Sequence, residues 1–82
     1  MLTVREFEIR IEQARKIDSP FLTPAQVAPI LGWHPHYIRL IAREDPETLP
    51  FRPQIRGNRT SFNKVDVILW AEEYLQMLRE VG

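Results

Sequence analysis

His34 and His36, which flank a proline, are the side chains of this 82-residue chain that first suggest chemistry. Imidazoles bind zinc, but a zinc site usually takes three or four protein ligands, and the chain has no cysteine to complete such a set. Ser19 and Ser61 have no histidine and carboxylate at a spacing typical of nucleophilic catalysis, and the chain has no glycine-rich phosphate loop. We therefore predict no metal, no cofactor and no enzymatic activity.

Arginine is the other residue type that suggests a function, and the basic and acidic residues are unevenly distributed along the chain. The formal net charge is zero, with 11 basic and 11 acidic residues. Residues 65–82 hold one basic and four acidic side chains, whereas residues 34–64 hold three acidic side chains and six basic ones, namely Arg39, Arg43, Arg52, Arg56, Arg59 and Lys64. Neutralised phosphates supply much of the affinity for nucleic acid, so overall neutrality counts against such a partner. The distribution nevertheless favours a molecule with one basic face.

Two helices with ordinary start signals are predicted early in the chain, over residues 3–17 and 23–31. Thr3 caps the first helix, and apolar residues at spacings of three and four give it one buried stripe, namely Val4, Phe7, Ile11 and Ala14. Thr23 caps the second helix, with a proline at its first position. Pro29 removes a backbone hydrogen bond inside the second helix, so we expect that helix to be shortened or kinked.

A tight turn at Gly32 leads into a third predicted helix over residues 35–44. Glycine readily adopts the left-handed conformation that ends a helix. Pro35 suits the first helical position, which makes His34 the N-cap of the third helix. We therefore expect the second and third helices to lie close together. The start of the third helix should then project from the domain.

The pattern of residues 51–62 predicts a β-hairpin. Gly57-Asn58 is a two-residue turn with glycine first, which is typical of a type II′ turn. Alternation then places Phe51, Pro53, Ile55, Thr60 and Phe62 on an apolar face and Arg52, Gln54, Arg56, Arg59 and Ser61 on the opposite face. Proline cannot donate to a sheet ladder, so the strand that contains Pro53 should be an edge strand.

A last helix is predicted over residues 64–79, with Asn63 as its cap. It carries one apolar stripe formed by Val67, Trp70, Ala71, Tyr74 and Leu78, and a second formed by Val65, Ile68, Leu69 and Leu75. A helix that is apolar on two faces needs two partners. We expect one partner to be the core formed by the second and third helices. The other partner should be the N-terminal helix or a second protomer.

The order of these elements resembles the excisionase and MerR-like winged helix-turn-helix superfamily, in particular small phage and transposon excisionases. The capped pair of helices spans Leu22 to Arg43, and Gly57-Asn58-Arg59 followed by Thr60-Ser61-Phe62 is similar to an excisionase wing. Residues 62–73 resemble the closing helix of excisionases and of phage terminase small subunits. The resemblance covers roughly residues 21–75. It implies one domain over residues 1–82, mostly α with a small β-hairpin: a winged helix-turn-helix with an extra N-terminal helix.

The resemblance also implies roles for the matched side chains. In the major groove of DNA it places His34, His36, Tyr37 and Arg39, with Arg43 nearer the backbone. In the adjacent minor groove, or on its phosphates, it places Arg56, Asn58 and Arg59. Other roles remain open at this stage, because the hairpin arginines could be a solvated face, His34 could act only as a cap, and Arg43 could pair with Glu44 or Glu47.

The function that the resemblance implies is sequence-specific binding of double-stranded DNA by an accessory protein of a phage or mobile element. Such a protein would be excisionase-like or a transcriptional regulator, would bind as a homodimer or a cooperative array, and could have a recombinase or integrase as partner. Alternatives are a packaging protein of the terminase small-subunit type and a protein–protein adaptor on the same scaffold. The chain has no cysteine and no apolar run of the roughly 20 residues that cross a bilayer, so we expect a cytoplasmic, nucleoid-associated protein without a membrane partner.

Overall fold

The computed structural model describes residues 3–81, and within them the chain forms four α-helices and a small antiparallel sheet. The first helix, α1, spans Val4–Arg15 and buries Phe7, Ile11 and Ala14. The Thr3 hydroxyl caps it by accepting a hydrogen bond from the Glu6 amide at 3.1 Å. The helix ends two residues before the predicted end, because the chain bends over residues 16–20 ahead of the first strand.

The next two helices match the sequence prediction closely. Helix α2 spans Pro24–Leu31 and α3 spans Pro35–Glu44. Thr23 and Gln26 form a reciprocal capping box, and Gly32 closes α2 in the left-handed conformation with φ of 74°. Pro29 does not end α2, which continues to Leu31. Buried Val27 and Ile30 hold this face of the helix in the core, so tertiary packing offsets the lost backbone hydrogen bond.

A two-residue strand, β1, spans Phe21–Leu22 and was not predicted. It pairs with β3, Arg59–Asn63, which in turn pairs with β2, Pro53–Arg56, so the sheet order is β1-β3-β2. Leu22 lies opposite Phe62, and both side chains are fully buried. This pairing fixes the base of the hairpin to the segment that precedes α2.

The hairpin itself has the predicted register, with Arg56 opposite Arg59 and Pro53 opposite Phe62. Gly57 has φ of 58° whereas Asn58 does not have positive φ, which fits a type II′ turn. The strand that contains Pro53 is an edge strand, as predicted. Ile55 lies opposite Thr60, as predicted, but it is 42% exposed, so the apolar face is not buried along its whole length.

Between α3 and the hairpin, a short 3-10 helix spans Pro46–Thr48, and the last helix, α4, spans Lys64–Val81. The Asn63 side chain caps α4 by accepting hydrogen bonds from the Val65 and Asp66 amides. Val67, Ala71 and Leu75 are buried, and α1 packs along α4. Two ion pairs, Arg15 with Glu72 and Arg79 with Glu8, join α1 to α4. The N-terminal helix is therefore one of the two predicted partners of α4.

The second predicted stripe of α4 is only partly covered. Leu75 is buried and Ile68 packs against the core, whereas Val65 and Leu69 are 64% and 55% exposed. Among residues 3–81, no helix is both long enough and apolar enough to cross a membrane.

Candidate nucleic-acid interface

A groove of about 590 Å³ runs along the hairpin beside Arg39 of α3 and brings four of the predicted site residues together. Arg39 lies on its helical side, and the hairpin contributes Arg56, Asn58 and Arg59. The N-terminal end of α2 and strand β1 complete the lining, with Thr23 and Phe21 among their residues. No aspartate or glutamate lines this arginine groove.

The three guanidinium groups of the arginine groove are not neutralised by carboxylates. Arg39, Arg56 and Arg59 are exposed, and none of them takes part in an ion pair within the described residues. The ion pairs within the described residues all involve α1, and no residue of α1 lines the groove. The positive potential of the arginine groove is therefore available to an anionic ligand.

Arg56 and Arg59 face each other directly across the β2–β3 ladder. Like charges in directly opposed positions destabilise a sheet by roughly a few tenths of a kcal/mol or more. No carboxylate in the described chain offsets this repulsion through an ion pair. The pair thus has a cost for folding, which a bound anion would relieve.

Arg43 has a partner that the sequence did not predict. Its guanidinium donates a hydrogen bond to the carbonyl oxygen of Gly57 at 3.1 Å, and it makes no ion pair with Glu44 or Glu47. The C-terminal end of α3 is therefore attached to the tip of the hairpin. Arg43 does not line the arginine groove. The alternative of a carboxylate partner for Arg43 is thus wrong.

The histidines and the tyrosine lie outside the arginine groove, at the start of α3. The His34 Nδ1 atom accepts a hydrogen bond from the His36 amide at 3.0 Å, which makes His34 the predicted N-cap. Tyr37 is 46% exposed and its ring meets the edge of Trp33, with centroids 5.5 Å apart. His36 is exposed and precedes Arg39 by three residues, so both lie on one side of α3.

Two other polar side chains of the hairpin, Gln54 and Ser61, line the arginine groove. Sequence alternation placed both on the arginine-rich face, and that signal could have identified them as site residues. Phe21, which is 42% exposed, was missed because strand β1 was missed. Arg52 shares the predicted face but borders a different depression, beside Phe51 and Trp70.

Lys64, one of the six basic residues of the central segment, is used structurally. Its Nζ atom donates to the carbonyl oxygens of Arg15 at 2.7 Å and Ile17 at 2.6 Å. The side chain thereby supplies hydrogen bonds to carbonyls at the end of α1, a common role for lysine. Lys64 does not line the arginine groove.

Over residues 3–81, no cluster of three or more histidine, cysteine, aspartate or glutamate side chains is arranged to hold a metal ion. No protein-family model matches the chain, and no curated protein and no solved structure matches it either.

Proposed function

We propose that this protein binds double-stranded DNA as a winged helix-turn-helix, with α3 as the recognition helix and the β2–β3 hairpin as the wing. The observation that carries the proposal is the arginine groove, in which Arg39, Arg56 and Arg59 converge without a carboxylate among the lining residues. Phosphate contacts of this kind supply most of the sequence-independent affinity for DNA.

The dimensions of the elements support this assignment. An α-helix with its side chains is roughly 10–12 Å across, and the major groove of B-DNA is about 12 Å wide. With α3 in the major groove, exposed His36 would face base edges and Arg39 the flanking strand. The wing residues Asn58 and Arg59 would then reach the adjacent minor groove or its phosphates.

The zero net charge of the chain is compatible with this role because the charges are segregated. The acidic residues of α1 and α4 include the partners of the described ion pairs, Glu8, Glu12 and Glu72, which lie outside the arginine groove. Local potential, rather than total charge, steers a charged ligand to its site.

The biological role that we propose is that of an accessory DNA-binding protein of a phage or mobile element, excisionase-like or regulatory. Its support is the resemblance of residues 21–75, in which paired helices, a two-stranded ribbon and a closing helix follow in this order. The same resemblance supports a homodimer or array on DNA and a recombinase or integrase as partner. We place this activity in the cytoplasm at the nucleoid. The proposed activity is binding, with no catalytic step.

Fluorescence anisotropy with a labelled random-sequence duplex tests DNA binding. We expect a Kd of about 10⁻⁴ to 10⁻⁶ M near physiological salt, and tighter binding at lower salt. Arg39→Ala should weaken binding about tenfold, whereas Arg5→Ala, which removes an exposed arginine of α1, should leave it unchanged. Equal affinity of the two variants for the duplex would show that the arginine groove does not bind DNA.

A protein–protein adaptor is the second candidate function, and one observation favours it. Helix α4 exposes Val65 and Leu69 on a face that no element of the described chain covers. Absence of any binding to duplex DNA at low salt would favour the adaptor over the DNA-binding protein.

A further inference from the structure

Helix α4 borders an apolar groove that the DNA-binding proposal does not use. We name as the α4 groove the depression of about 640 Å³ beside Val65 and Leu69, which is completed by Ile17, Pro20 and Ile68. Val65 and Leu69 lie one helical turn apart and are 64% and 55% exposed. Exposed apolar surface with a polar rim is typical of protein interaction sites.

The apolar surface continues past Leu69 on its other side. Leu69 also borders a shallow depression beside Phe51 and Trp70, with Asp66 and Glu73 at its rim. The two carboxylates stand three residues before and four residues after Leu69, so all three side chains share one face of α4. Neither Asp66 nor Glu73 makes an ion pair with any residue in the part of the chain that the structure describes.

The cations near this surface are largely committed to other groups. Arg15 pairs with Glu72 and Glu12, and the Lys64 amine donates to two backbone carbonyls. Within residues 3–81, Arg52 and Lys64 are the cations on this rim that lack an ion pair, against three such acids, Asp18, Asp66 and Glu73. The unpaired charge around the apolar groove is therefore acidic by one unit, and Asp66 and Glu73 are the carboxylates beside Leu69.

This charge selects among the possible occupants. Nucleic acid would be repelled by the carboxylates. A second copy that docked through the same face would set one acidic patch against another, because a twofold interface uses the same patch on both subunits. A cationic apolar segment has neither conflict.

We propose that the α4 groove binds an amphipathic helix of another protein, whose apolar residues fill the groove and whose lysines or arginines pair with Asp66 and Glu73. Recognition of a helix by a groove rests on apolar anchors at spacings of three and four residues, with charges that select the partner. This site adjoins the arginine groove at Ser19, but none of Arg39, Arg56 and Arg59 borders it. The proposal stands whether or not the protein binds DNA.

The test is an NMR titration of the full ¹⁵N-labelled chain with two synthetic amphipathic peptides of equal length. One peptide carries leucine at helical spacing with lysine at the remaining positions, and its twin has glutamate in place of every lysine. We expect the lysine peptide to shift the amides of Val65, Asp66, Leu69 and Glu73. The glutamate peptide should leave these amides unshifted.

Variants locate the binding and separate its two components. Leu69→Asn should weaken the lysine peptide about tenfold, and the doubly neutralised variant Asp66→Asn, Glu73→Gln should abolish the preference for lysine over glutamate. Ile9→Asn is the matched control, because Ile9 is a 45% exposed apolar residue of α1 outside the groove, and it should have no effect. An equal effect of Ile9→Asn and Leu69→Asn would overturn the proposal.

Self-association is the competing outcome, and analytical ultracentrifugation measures it directly. The proposal expects a monomer in the absence of peptide. A dimer of the free protein that Leu69→Asn dissociates and Ile9→Asn does not would show that a second copy occupies the groove, and would overturn the proposal. Peptide-induced shifts confined to other elements would also overturn it.

Discussion

The guanidinium group of Arg43 donates a hydrogen bond to the carbonyl oxygen of Gly57, 3.1 Å away, and so joins the end of α3 to the tip of the hairpin. In the proposed complex, α3 and the wing contact neighbouring parts of one duplex. The distance between them must therefore suit the spacing of the DNA backbone. A contact that fixes this distance before binding lowers the entropy lost on association.

Replacing Arg43 by methionine removes the donor and keeps a side chain of similar length. We expect the backbone order parameters of Gly57 and Asn58 in the free protein to fall from about 0.85 toward about 0.6, because the hairpin tip loses its attachment. Affinity for duplex DNA should fall about three- to tenfold. Nuclear spin relaxation and anisotropy measure the two effects separately.

Glu44→Gln is the control for Arg43→Met, since it changes the neighbouring exposed residue of α3. It should leave the order of the hairpin tip unchanged. Lower affinity of Arg43→Met with an unaltered hairpin tip would assign Arg43 to direct DNA contact.

His34 is predicted to stabilise the fold through its cap of α3. His34→Ala removes the acceptor of the His36 amide, so the free energy of unfolding should fall by about 0.5–2 kcal/mol, as for other lost N-caps. His34→Asp should retain or raise stability, because aspartate is among the preferred N-cap residues. Urea denaturation provides the measurement.

His36→Ala is the matched control for the cap, because the cap uses the backbone amide of His36 and not its ring. Its stability should stay within about 0.5 kcal/mol of the parent protein. Equal losses in His34→Ala and His36→Ala would argue against the cap.

Lys64→Met should lower stability and leave the salt dependence of DNA binding unchanged. The variant loses two charge-assisted hydrogen bonds to carbonyls of the segment that ends α1, so we expect the free energy of unfolding to fall by about 1–3 kcal/mol. Because Lys64 lies outside the arginine groove, no phosphate contact is lost. A smaller salt slope in this variant would contradict the structural role.

The sequence predicted the features that short-range chemistry determines. The Thr23–Gln26 capping box set the start of α2, and the glycine-first turn at Gly57 fixed the whole register of the hairpin. The positions of Arg56, Asn58 and Arg59 followed from that register. Each of these features depends on residues within a few positions of one another.

Features that depend on distant parts of the chain were missed. Strand β1 has two residues, too few for alternation to show, and it forms only because β3 lies beside it. Lys64 was counted with the basic residues of the central segment, and no sequence pattern reveals its bonds to carbonyls 47 and 49 positions earlier. The bond between Arg43 and Gly57 joins two elements whose packing is a tertiary property.

The central claim is that the unpaired arginines of the groove contact DNA phosphates, and the salt dependence of binding for Arg59→Ala tests it most directly. The slope of log Kobs against log salt concentration should decrease in magnitude by about 0.9 for each lost phosphate contact. Arg5→Ala should reproduce the parent slope. We predict a loss of about one unit for Arg59→Ala with undiminished stability, since the substitution also relieves repulsion from Arg56. An unchanged slope and affinity in Arg59→Ala would contradict the account.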